Sequence, residues 1–113
     1  SKVGTQYGFL SGSSTHADRV ATIRDCYERL GIMIDPHTAD GVKVARGLRN
    51  EVDTPIVCLE TALPVKFAHT IKEATGQEPD LPDRFTTIMQ AERHVTDLPN
   101  DVDVVKDFIA AND

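Results

Sequence analysis

Cysteine is scarce in this sequence. Cys26 and Cys58 are its two, and no metal-ligand spacing relates them, which speaks against a disulfide scaffold or a zinc motif and reads both as buried free thiols. Long apolar runs are missing as well: no stretch reaches the ~20 residues that cross a bilayer, and Ser1 to Gln6 has no basic-then-apolar leader pattern. The expectation is a cytoplasmic protein with no membrane partner. A basic stripe is also absent. The net charge of −6 is spread over mixed-sign positions, so nothing stands ready to neutralise a phosphate backbone and nucleic acid is not an expected partner. His16, His69 and His94 have no mutual spacing for a metal ion, and Asp80, Asp83, Asp97, Asp101 and Asp103 form no calcium loop. These residues read as solvated, loop or helix-capping groups. No internal repeat or low-complexity tract is present.

What the sequence does hold is a series of helix signals. At 113 residues it is one domain or a piece of one. After a glycine- and serine-rich opening, Tyr7 to Ser14, which reads as a loop or the tail of a preceding element, Thr15 and Asp18 approximate a capping box. Val20, Ile23, Tyr27 and Leu30 then recur at helical spacing, and Gly31 supplies the stop. Beyond the short Ile32-Met33-Ile34, Asp35 can act as N-cap and Pro36 as first residue of a helix reaching about Leu48. Its apolar stripe is Ala39, Val42, Ala45 or the stem of Arg46, and Leu48, with Gly41 and Gly47 permitting close approach of another backbone. A third helix opens at Pro64, lines one side with Phe67, Ala68, Ile71 and Ala74, and closes at Gly76. Pro79 and Pro82 mark an exposed connection. Asn100 or Asp101 then caps a last helix whose apolar side is Val104, Val105, Phe108 and Ile109.

One segment differs from the rest. Ile56-Val57-Cys58-Leu59 is apolar without alternation, the pattern of a parallel-sheet strand covered on both faces. It ends near Thr61, and ligands of open α/β sheets bind beyond the carboxyl ends of the strands. Thr61 is thus either a ligand-facing hydroxyl or a cap for the following helix. A lone buried strand has no neighbours to satisfy its backbone, and each unpaired buried group costs about 1–3 kcal/mol. The missing strands are therefore expected in further chain.

Two segments carry a family resemblance: Ile34-Asp35-Pro36-His37-Thr38-Ala39-Asp40-Gly41, and Leu59-Glu60-Thr61-Ala62-Leu63-Pro64-Val65-Lys66-Phe67. In order and approximate separation they resemble threonine synthase, the pyridoxal 5'-phosphate enzyme that makes threonine from O-phosphohomoserine. Its longer subgroup ends with a D-P-H-T-A segment followed by T-A-H-P-A-K-F. The likeness runs from about Gly8 to Phe108. It implies a fold class: the C-terminal part of a three-layer α/β enzyme of fold type II, tryptophan-synthase-β-like, mostly helices with one or two strands. Residues 1–113 are then a C-terminal fragment of a larger catalytic domain. The implied reaction takes O-phospho-L-homoserine and water to L-threonine and phosphate, and the implied partners are that substrate and the remainder of the polypeptide.

For individual residues, the resemblance implies that the hydroxyl of Thr61 hydrogen-bonds the pyridine nitrogen of the cofactor. A neutral hydroxyl can donate to that nitrogen but does little to hold a proton on it, which moderates how deeply carbanion charge sinks into the ring. Asp35, His37 and Thr38, at a helix start whose amides attract anions, are implied to lie near the substrate pocket; a plain helix start with His37 partly exposed is the other reading. The lysine that carries the cofactor in this family lies in a motif like S-F-K-D, and neither that motif nor a G-N-F-G phosphate loop occurs here. No catalytic residue is therefore assigned within the sequence. Lys66 matches the lysine of P-A-K-F, with a structural or surface role, and the fragment alone is expected to be inactive. Leu63 stands where the family often has histidine, and Val65 replaces alanine, so any polar function of that histidine is absent or supplied elsewhere. Two alternatives stay open: a stand-alone α/β binding module that self-associates, and another pyridoxal-dependent β-replacement or β-elimination enzyme of the same fold.

Overall fold

A computed structural model describes residues 2–112. The chain divides into two units, Ser1–Leu81 and Pro82–Asp113. In the first, a short helix α1 (Lys2–Tyr7) is followed by α2 (His16–Leu30), α3 (Pro36–Leu48) and α4 (Ala68–Thr75).

The ends of α2 and α3 are set by local chemistry. Thr15 and Asp18 form a reciprocal capping box: the Asp18 amide donates to Thr15 Oγ1 at 3.2 Å and the Thr15 amide donates to Asp18 Oδ2 at 2.9 Å. The backbone hydrogen bond from Thr15, its hydroxyl and the nearby Lys43 together hold the Asp18 carboxyl below its ordinary range, against the opposing effect of burial. Gly31 closes α2 in the left-handed region at φ 68°, with its amide donating to the carbonyl oxygens of Cys26 and Tyr27. A side chain there would be strained, which is why glycine terminates the helix. Asp35 starts α3, accepting from the amides of His37 and Thr38, and Pro36 occupies the first turn, where a missing N–H costs nothing.

The apolar stripes of these helices meet in one small core of Ile23 and Cys26 from α2, Ile34, Ala39 from α3, and Ile71 and Ala74 from α4. Val20, Met33 and Val42 pack around it. Polar links tie the layers at the rim. Arg19 on α2 grips Asp40 on α3 with Nε at 3.0 and 3.2 Å and a second nitrogen at 2.7 Å. Arg24 Nε donates to the carbonyl of Ala74 at 2.9 Å, and His16 Nε2 lies 3.1 Å from the Glu73 carboxylate. A 3-10 turn, Pro64–Phe67, leads into α4, and Gly76 at φ 73° ends it.

Three expectations need correction. Among the described residues no strand forms: Ile56–Leu59 has no regular hydrogen-bonded structure, and Val57 and Leu59 are 78% and 77% exposed. The physical reason is that a strand exists only as a member of a ladder, and no segment among these residues lies alongside to supply one. For the same reason Cys58 is exposed rather than buried, whereas Cys26 is a buried free thiol as expected. Among the described residues no backbone approaches Gly41 or Gly47, and a Cβ at either would face open space. Close approach occurs instead at Gly12, where a Cβ would stand 3.0 Å from a Val44 methyl.

The second unit has a 3-10 turn, Asp83–Phe85, then α5 (Thr86–Gln90) and α6 (Val102–Ala111). Asp101 caps α6 by accepting from the amides of Asp103 and Val104 at 2.9 and 3.2 Å. Its apolar side, Val104, Val105, Phe108 and Ile109, is exposed.

Candidate functional site

The residues singled out near Asp35 and Thr61 are 23 or more positions apart in sequence, and the fold joins them. Asp35 is fully buried at 0% exposure. A carboxylate so placed is costly unless its oxygens are occupied, and here both are. Its Oδ1 accepts from the amides of His37 at 2.9 Å and Thr38 at 3.4 Å, and its Oδ2 accepts from the hydroxyl of Thr38 in a short hydrogen bond. Thr38, itself buried, passes the connection on: the amide of Thr61 donates to Thr38 Oγ1 at 3.4 Å. The first turn of α3 thereby holds the backbone of the loop that carries Thr61.

Thr61 is exposed and lines a cavity of about 300 Å³ with Glu60, Ala62, Leu63 and Lys66. That volume falls at the lower end of the roughly 300–1,000 Å³ of small-molecule sites. His37 is exposed on the same turn of α3, and its ring meets Phe67 edge-on with centroids 5.0 Å apart. Asp35, Thr38 and Thr61 are thus brought together, while His37 points to the aromatic side chain that precedes α4. Lys66 is exposed at the cavity, consistent with a surface role.

A larger, apolar cavity of about 470 Å³ lies between α3 and the 56–59 segment, walled by Val44, Leu48, Ile56, Val57 and Leu59 among others. The connection from Thr38 to the Thr61 amide was not foreseen from the sequence, because a hydroxyl inside a helix start gives no sign of which distant amide it will meet. Two threonines in the two resemblance segments were the nearest available signal.

The fold that carries this turn and loop has a counterpart among solved structures. A crystal structure of PLP-bound threonine synthase from Brucella melitensis superposes with a TM-score of 0.72 at 37% sequence identity, covering 91% of this chain and 22% of that one. By fold, the chain is therefore of the same class as that pyridoxal-phosphate-bound protein, which meets the fold class expected from the sequence. The family described as threonine synthase, C-terminal, matches residues 38–109. Threonine synthase of Corynebacterium glutamicum is 64% identical over 108 residues, 96% of this chain and 22% of that protein. That of Methylobacillus glycogenes is 47% identical over 103 residues, 91% of this chain and again 22% of the relative. The chain belongs to the threonine synthase family, in its C-terminal part. It spans 22% of the length of each of these relatives. No described helix is long and apolar enough to cross a membrane.

Proposed function

We propose that residues 1–113 act as the C-terminal part of a larger catalytic domain, a pyridoxal 5'-phosphate-dependent threonine synthase that converts O-phospho-L-homoserine and water to L-threonine and phosphate. The observation that carries this reading is the 64% identity to a threonine synthase over 96% of the chain, in a fold where Thr61 stands exposed at a cavity. Bound pyridoxal phosphate would supply the electron sink for loss of a substrate α proton.

The residues present fit that group. The ring nitrogen needs a single donor, and Thr61 offers an exposed, neutral hydroxyl on a loop whose backbone is fixed from behind. A hydroxyl there would donate to the nitrogen without imposing a proton on it. Asp35 and Thr38 support the loop from the buried side, and His37, exposed on the same turn, packs its ring edge-on against Phe67. The remainder of the polypeptide would complete the cavity walls and cover the apolar face at Val57 and Leu59. The partners are that remainder and the small phosphorylated substrate, in the cytoplasm, with no nucleic acid or membrane involved.

Thr61→Val in the whole polypeptide tests this. Loss of one neutral hydrogen bond, about 0.5–1.5 kcal/mol, should slow turnover roughly three- to tenfold and move the cofactor absorbance. Unchanged spectra and kinetics would remove the hydroxyl from the site. Turnover of phosphohomoserine against phosphoserine and homoserine distinguishes the reaction from other pyridoxal-dependent replacements.

A further inference from the structure

Thr61 owes its place to a buried relay. The Asp35 carboxylate is fully enclosed, and the Thr38 hydroxyl donates to it, which leaves the Thr38 oxygen's lone pairs turned outward. The Thr61 amide donates to that oxygen from across 23 residues of sequence. The direction of the links is consistent along the relay: Thr38 donates to the Asp35 carboxyl and accepts from the Thr61 amide. The two free amides at the start of α3 are taken up by Asp35 Oδ1. We propose that Thr38, set by Asp35, is a positioning residue for cofactor binding: it holds the Thr61 backbone so that the Thr61 hydroxyl meets the ring nitrogen, and itself touches neither cofactor nor substrate.

This rests on the cofactor role of Thr61, and the test separates the two. At 3.4 Å the link to the Thr61 amide is long for an N–H···O hydrogen bond, whose usual distance is about 2.9–3.0 Å, so its loss should produce the smaller end of a single-bond effect. In the whole holoenzyme, Thr38→Val, which keeps the side chain's shape and removes the hydroxyl, should weaken pyridoxal phosphate binding about threefold. It should also move the cofactor absorbance in the same direction as Thr61→Val. Thr38→Ser, which restores the oxygen, should return both readouts to the wild-type values. In the Thr61→Val background, Thr38→Val should add no further change in spectrum, because the hydroxyl it positions is already gone.

Wild-type absorbance and affinity in Thr38→Val, alongside an altered Thr61→Val, would overturn the relay while leaving Thr61 at the cofactor. A full additional spectral change in the double variant would overturn it too, since Thr38 would then act independently of the Thr61 hydroxyl. A silent Thr61→Val would instead sink the cofactor reading on which the relay rests. If Thr38→Val fails to accumulate as folded holoenzyme, Thr38→Ala, which also removes the hydroxyl, takes its place under the same criteria.

Discussion

The ion pair between Arg19 and Asp40 offers the sharpest test of how the α3 turn is held in place. Three nitrogen–oxygen contacts of 2.7–3.2 Å join α2 to α3, and the two side chains keep 29% and 28% exposure. In an effective dielectric near 20 the bare attraction of two charges about 4 Å apart is roughly 4 kcal/mol. Desolvation of both groups and solvent screening remove most of it, and exposed pairs retain only about 0.2–1 kcal/mol. The bidentate geometry and partial burial put this pair at the upper edge, so we expect a coupling of about 1 kcal/mol. The perturbation is a double-mutant cycle of Arg19→Met and Asp40→Asn, followed by urea unfolding monitored by circular dichroism; with a slope near 1 kcal/mol per molar urea, the coupling reads as a midpoint difference of about 1 M. The pH dependence has a definite sign. Burial raises the Asp40 carboxyl, but the Arg19 guanidinium, the Ser14 hydroxyl and the positive field of Arg19 and His37 outweigh it, so its pKa lies below the ordinary value. A depressed carboxyl contributes stability that is present above the unfolded value near 4 and is lost as pH falls through the folded one. The coupling should therefore shrink as pH falls below about 4. A coupling below about 0.3 kcal/mol at neutral pH, or one that rises as the solution is acidified, would refute the argument.

Two further outcomes follow from the packing of the first unit. Ile71→Ala removes a fully buried side chain from a core with few apolar members and should cost about 2–4 kcal/mol, measured as a fall in urea midpoint; a cost under about 1 kcal/mol would show that α4 is not pinned by that contact. Gly31→Ala should cost about 1 kcal/mol through its left-handed backbone alone, since the space around a Cβ there is open, and Gly31→Asn should recover part of that loss in the same melt.

What could be read from the sequence divides according to the range of the interactions involved. The limits of α2 and α3 were legible because Thr15, Asp18, Gly31, Asp35 and Pro36 each act on backbone groups within a turn of themselves. The buried face was legible in part: Ile23, Ala39, Ile71 and Ala74 fall on the stripes that helical spacing marks. The strand expected at Ile56–Leu59 was not realised, because its pattern describes a segment buried in a ladder and no described residue pairs with it. Cys58 was misjudged with it. The links of Arg19 to Asp40, Arg24 to Ala74 and Thr38 to Thr61 cross 21 to 50 positions, and no local pattern encodes such a meeting. Of the candidate site, the residues were legible and their connection was not.

The uncovered stretch from Ile56 to Leu59 carries a hazard of its own. A short, uncharged, apolar peptide segment with no hydrogen-bonded neighbour is the kind of sequence that seeds cross-β assembly when molecules meet. Its flanks blunt that tendency: Pro55 lacks an N–H to extend a growing ladder, and Glu60 would stack like charges in register at every added layer. The same few uncovered positions are thus bracketed by gatekeepers against such stacking.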